Sequence, residues 1–119
     1  MLDRGRRPGR RREAVRTPRP SDVLEAVTYV TGYDPLNKSR ESGYVSARRL
    51  AVAALRELCD LSYAACARVL GYGDHSTVLH HARGNVDIRL LKAVVQRVSD
   101  QLTIEEARER TEAEVARWQ

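Results

Sequence analysis

The chain has 119 residues, 42% of them hydrophobic, with 21 basic against 16 acidic side chains and a formal charge of +5. That length allows one modest hydrophobic core and leaves little for a deep catalytic cleft. No apolar run approaches the roughly eighteen residues of a membrane span, and no apolar segment follows the cationic N-terminus as a secretory signal would require, so a cytoplasmic protein is expected.

The charge is unevenly placed. Residues 1–20 hold Arg4, Arg6, Arg7, Arg10, Arg11, Arg12, Arg16 and Arg19 against only Asp3 and Glu13, a net +6, while the remainder carries −1. Rich in Arg, Pro and Gly, this segment cannot bury enough surface to offset the entropy of ordering. It reads as a disordered basic arm, of the kind that follows phosphates. A plain solubilising tail is the alternative.

Ser21 is a good N-cap for a first helix, whose stripe is Val23, Leu24, Val27 and Val30 and whose stop is Gly32. Asp34-Pro35 pairs a cap with a proline at the first helical position and predicts a single turn through Leu36. The polar stretch Asn37 to Gly43 follows as a loop. A helix over Tyr44–Cys59 buries Val45, Leu50, Ala51, Ala54, Leu55 and Leu58, and Arg48, Arg49 and Arg56 project from its other sides. Lys38, Arg40, Arg48, Arg49 and Arg56 lie within nineteen residues, with Glu41 the single acid among them. An arm plus one basic stripe is the footprint of a polyanion binder.

Ser62 then caps a short helix, Tyr63–Leu70. Gly71-Tyr72-Gly73 forms a turn. A further helix starts at Asp74 or His75 and runs to about Arg83, with Val78 and Leu79 inward and Gly84-Asn85 as the stop. Short helix, glycine-containing turn and second helix together make a helix-turn-helix. Val86–Leu102 predicts another helix with Ile88, Leu91, Val94, Val95, Val98 and Leu102 inward. Thr103 with Glu106 has the pattern of a capping box, and Leu102 with Ala107 that of a hydrophobic staple. A separate last helix is therefore expected, with Ile104, Ala107, Thr111, Val115 and Trp118 along one side. Cys59 and Cys66 fall in apolar helical patterns as small buried thiols, in neither a CxxC nor a zinc-finger spacing. With no strand-like alternation and no repeat, the fold class is all-α. A small bundle over 21–102 contains the helix-turn-helix, preceded by the arm at 1–20 and followed by a helix at 103–119.

The run Gly71-Tyr72-Gly73-Asp74-His75-Ser76-Thr77-Val78-Leu79-His80 resembles the signature of the C-terminal DNA-binding domain of DnaA, the bacterial chromosomal replication initiator. That family's pattern is close to G-x-R-D-H-[ST]-T-V-x-H. Val30-Thr31-Gly32 and Leu36 resemble its first helix and exit, and Lys38 to Arg40 its basic loop. Ala47-Arg48-Arg49-Leu50-Ala51 with Arg56-Glu57-Leu58 resembles its central helix, and Leu61-Ser62 the start of its helix-turn-helix. The resemblance covers about residues 22–85 without gaps. It implies a Trp-repressor-like bundle with the recognition helix in the major groove of double-stranded DNA. Asp74, His75, Ser76 and Thr77 match the family's base-contacting residues. Arg48 and Arg49 match groove-flanking backbone contacts, with Arg56 and His80 placed beside them. The loop of Lys38 and Arg40 would reach an adjacent minor groove. Arg4, Arg6, Arg7, Arg10, Arg11 and Arg12 would add sequence-independent contacts through counterion release.

The residue chemistry agrees with that assignment. The N-terminal end of a recognition helix approaches base edges. There Asp accepts from cytosine N4, His donates to a purine or thymine acceptor, and a Thr methyl packs on that of thymine. The bland reading of Asp74 is a helix cap. The sequence departs from the family at Gly73, where the pattern has arginine, and at Ser42, where a second loop arginine is usual; both changes alter the expected site preference. It contains no G-x-x-x-x-G-K-[ST] phosphate loop, so the resemblance extends to DNA binding and not to the initiator's ATPase.

Catalysis is not expected. Asp74-His75-Ser76 has the residue types of a hydrolase triad, but neighbours on one helix cannot bridge one another as a triad must. His75 and His80 lack the i, i+4 spacing of a shared metal face, so no metal or other cofactor is expected, and His81 reads as a surface residue. The arm lacks the bulky apolar face of a membrane helix, and the scattered tyrosines lack the stacking platform of RNA modules. The expected function is a sequence-specific, nucleoid-associated DNA binder that regulates transcription or replication initiation. The alternative is a largely non-specific binder or an adaptor. In the adaptor reading the last helix would dock a second copy or another protein; otherwise its apolar side covers the core, which is the expected arrangement.

Overall fold

The computed structural model describes residues 16–118. Arg4, Arg6, Arg7, Arg10, Arg11 and Arg12, and with them most of the expected arm, lie outside the described residues. Within those residues the chain forms five helices and no strand: α1 (Pro20–Thr31), α2 (Ser42–Cys59), α3 (Tyr63–Leu70), α4 (Ser76–Ala82) and α5 (Ile88–Arg117). The all-α expectation holds.

Helix α2 is the axis. Its alanines Ala47, Ala51 and Ala54 are fully buried, and their small side chains let α1, α3, α4 and α5 all approach it. Val23, Ala26 and Val27 of α1 meet Leu50, Val52 and Leu55 of α2 and Val94, Val98 and Leu102 of α5 in one core. Cys66, Ala67 and Leu70 of α3 and Val78 of α4 join it from the helix-turn-helix side. Each fully buried valine or leucine contributes about 1.5–3 kcal/mol of transfer free energy.

The termini of the helices follow from local chemistry. Helix α1 begins at Pro20, with Arg19 in the capping position, two residues ahead of the expected Ser21. The Arg19 N–H donates to the Asp22 carboxylate at 2.7 Å. Gly32, at φ 80°, ends α1 by donating to the Thr28 carbonyl. Asp34 accepts from the Leu36 N–H at 2.9 Å, and Asn37 closes the predicted single turn onto the Asp34 carbonyl at 3.0 Å. Ser62 caps α3 as its sequence predicts, accepting from Ala65 N–H at 3.1 Å.

Two expectations at the C-terminal side are corrected. Helix α5 is continuous from Ile88 to Arg117, and no new helix starts at Thr103. The Thr103 hydroxyl donates instead to the Ser99 carbonyl at 2.9 Å. Nothing between Asp87 and Trp118 is glycine or proline, so the helix has no reason to stop where a capping pattern happens to occur. Ile88 is 58% exposed rather than inward. Beyond Leu102 the helix leaves the core: Ile104, Val115 and Trp118 are exposed, as are Ala107 and Thr111. The expectation that this side covers the core is overturned.

The N-terminal entry is fixed by Arg16, which bridges Asp22 of α1 at 2.9 Å and Glu105 of α5 at 2.7 Å. Burial works to raise the Asp22 carboxyl, but the bonds from Arg16 and the Arg19 N–H outweigh it and hold it below the usual range. The Cys59 thiol donates to the Pro18 carbonyl at 3.4 Å. Cys66 is buried and Cys59 half-buried. Burial pushes both thiols up, away from the reactive thiolate.

Candidate nucleic-acid interface

The turn between α3 and α4 is set by Gly71, which ends α3 in the left-handed region at φ 80° and donates back to the Ala67 and Arg68 carbonyls. Helix α4 starts at Ser76, later than the expected Asp74 or His75. Asp74 organises that start: its Oδ1 accepts from the Ser76 N–H at 2.8 Å and the Ser76 hydroxyl at 2.5 Å. Those two bonds hold its carboxyl below the usual range. Both use one carboxylate oxygen, and a carboxylate has two acceptors to offer, so capping and base contact are compatible roles. Asp74, His75, Ser76 and Thr77 are all exposed, while Val78 just behind them is fully buried. The four expected base-reading side chains thus stand together at the N-terminal end of a helix anchored in the core.

The opposite side of α4 differs from expectation. His81 is buried, not a surface residue. It lies three residues after Val78, on the same helical face. Its ring lies 6.2 Å from Tyr72. Burial, then the nearby Arg48 and Arg49 charges, then His80, push its pKa down to about 4, so it is neutral at physiological pH. His81 Nδ1 and the Nε atoms of Arg48 and Arg49 are buried without a hydrogen-bond partner.

The basic residues separate into two groups. Arg40 and His80 are exposed. Arg56 is exposed as well, with its guanidinium 4.0 Å above the Tyr63 ring and donating to the Leu61 carbonyl at 3.0 Å. Arg49 is half-buried and lies against Gly84, so close that a side chain at Gly84 would displace it. Arg48 was expected to project but is 5% exposed. Its guanidinium donates to the Asn37 carbonyl and, at 2.8 Å, to the Ser39 carbonyl. Lys38 also turns back onto the protein. Its Nζ donates to the Leu70 carbonyl at 2.6 Å and stands 4.7 Å from the Tyr72 ring centroid.

The loop between α1 and α2 is therefore heavily tied. Asn37 accepts from the Ser39 N–H, and Ser39 from the Glu41 N–H. The Tyr33 ring packs edge-on to Tyr44 at 4.9 Å and lies on Gly43. Among these anchors Arg40 presents an exposed guanidinium. Sequence reasoning missed the Lys38–Leu70–Tyr72 contact, which joins residues 32 positions apart. It also missed Arg68 and Arg83, exposed cations on α3 and at the end of α4.

A short helix, a glycine turn and a second helix with an exposed polar N-terminus, flanked by a cationic loop, define a helix-turn-helix domain that binds double-stranded DNA. The family model for the bacterial DnaA protein helix-turn-helix matches residues 21–84, and the chain belongs to that family. No solved structure matches it. Helix α5 lies outside the matched residues. Among the described residues no helix is long and apolar enough to cross a membrane.

Proposed function

We propose that the protein is a non-enzymatic, sequence-specific binder of double-stranded DNA. It regulates transcription or replication initiation, on the nucleoid in the cytoplasm. The observation that carries this reading is the exposed group Asp74, His75, Ser76 and Thr77 on the N-terminal end of α4, directly ahead of the buried Val78. Placed in a major groove, these side chains offer the acceptor, donor and methyl contacts that discriminate base pairs. Arg40 supports them from the neighbouring loop, and Arg49, Arg56 and His80 lie on the phosphate side.

The test is a fluorescence-anisotropy titration at near-physiological salt with a duplex bearing an initiator-type box and its scrambled control. The expected result is a clear preference for the box. Equal, salt-sensitive binding to both would overturn sequence-specific reading of that box and leave the non-specific alternative.

The exposure of Ile104, Val115 and Trp118 favours a second reading alongside the first. In it the distal part of α5 docks a second copy or another protein. Sedimentation across concentration tests the first of these: self-association rises with concentration, and a concentration-independent monomer removes the dimer.

A further inference from the structure

Lys38, exposed, and Arg48, buried, are the two loop-side cations whose side chains donate to carbonyls of the protein itself. Arg48, nearly buried, grips the carbonyls of Asn37 and Ser39, the residues on either side of Lys38. Lys38 in turn reaches the carbonyl of Leu70 at 2.6 Å. Leu70 is the last residue of α3, where carbonyls lack helical partners and the helix dipole is negative. A cation is favoured there, and the Tyr72 ring adds a second attractive surface on the same side. Gly71 leaves room beside the ammonium, since a Cβ at that position would sit 3.3 Å from Nζ. Two cations thus tie one loop to α2 and to the turn that leads into α4.

We propose that Lys38 and Arg48 are positioning residues that clasp the Arg40 loop to the helix-turn-helix and hold Arg40 in register with Asp74–Thr77. This deepens the sequence-specific reading above and rests on it. Lys38 is then a clasp rather than a phosphate ligand. Its contribution reaches DNA through Arg40, by removing the loop ordering that binding would otherwise require. A phosphate ligand would act on every duplex alike, whereas a clasp acts where two contacts must be made at once.

The experiment uses the full chain as wild type, Lys38→Met, Arg48→Lys, Arg40→Ala and the Arg40→Ala/Lys38→Met double variant. Circular dichroism establishes that each is helical. Amide hydrogen exchange of residues 37–43 is measured without DNA, and affinity is measured for the box and scrambled duplexes. Lys38→Met and Arg48→Lys are expected to speed exchange across the loop. Lys38→Met is expected to weaken the box about tenfold while changing the scrambled duplex less than about twofold. The double variant should lose no more than Arg40→Ala alone, because coupled residues are non-additive. Equal weakening of both duplexes, or losses that add in the double variant, would make Lys38 a direct DNA contact and overturn the clasp. If wild type shows no box preference, the reading beneath fails, and exchange alone decides: unchanged loop exchange in both Lys38→Met and Arg48→Lys overturns the clasp.

Discussion

Gly73 stands where the family pattern carries an arginine, and a Cβ placed there would meet nothing within 4 Å. Its φ is not in the positive range, so a side chain brings neither clash nor backbone strain. Gly73→Arg is therefore expected to fold as wild type and to gain a guanidinium one residue ahead of Asp74. A well-placed bidentate contact is worth about 1–3 kcal/mol of base discrimination. The box-to-scrambled preference should rise by about tenfold or more, read in the same anisotropy titration. An unchanged preference would mean that position 73 does not face the groove. By contrast, Gly71→Ala puts a Cβ at φ 80° and 3.3 Å from Lys38 Nζ, so the two glycines of one turn are not equivalent.

At the scale of the element, local signals were legible and long-range ones were not. Ser62, the Tyr63–Leu70 helix and the glycine turn follow from capping and backbone chemistry carried by adjacent residues, and the structure has them in place. Arg48 and His81 depart from expectation because a stripe traced through apolar residues alone omits them. Yet Arg48 shares the stripe of Ala51, Val52 and Leu55, and His81 that of Val78; the spacing placed them inward despite their polarity. Thr103-x-x-Glu106 misled in the other direction, since a capping pattern acts only where the chain leaves the helix. The 30 residues of α5 span about 45 Å. Its distal part is held by solvent-side pairs such as Glu106–Arg110 at 3.7 Å and Glu114–Arg117 at 3.6 Å, each worth little. Removing residues 107–119, which retains Leu102 and the Glu105 partner of Arg16, should change the unfolding free energy by less than about 1 kcal/mol. A larger loss in a denaturant titration would show that the distal helix supports the fold.

For the molecule as a whole, His81 contributes an acid response that begins well above the carboxylate range. Its folded pKa lies near 4, against an unfolded reference of 6.5. Between those values the unfolded chain binds a proton that the folded chain does not, so stability falls as pH drops from about 6.5 to about 4 and is flat in this respect above 6.5. The shift corresponds to a loss on the order of 3 kcal/mol. His81→Gln should flatten the pH dependence of the denaturation midpoint over that window. An unaltered slope would assign the acid response to other groups. DNA binding near neutral pH should not sense His81 titration, since the ring is already uncharged there.

The chain has a single tryptophan, and α5 carries it to the far end of the helix, where Trp118 is 81% exposed. Its indole is already in water in the folded protein. Emission therefore reports little of the melting of the Leu55–Leu70–Val94 core, and unfolding is better followed by helical dichroism. The same placement makes Trp118 an intrinsic optical probe of the C-terminal tip. A blue shift would register whatever covers that end, while occupation of α4 by a duplex, on a different part of the fold, would leave the spectrum unchanged.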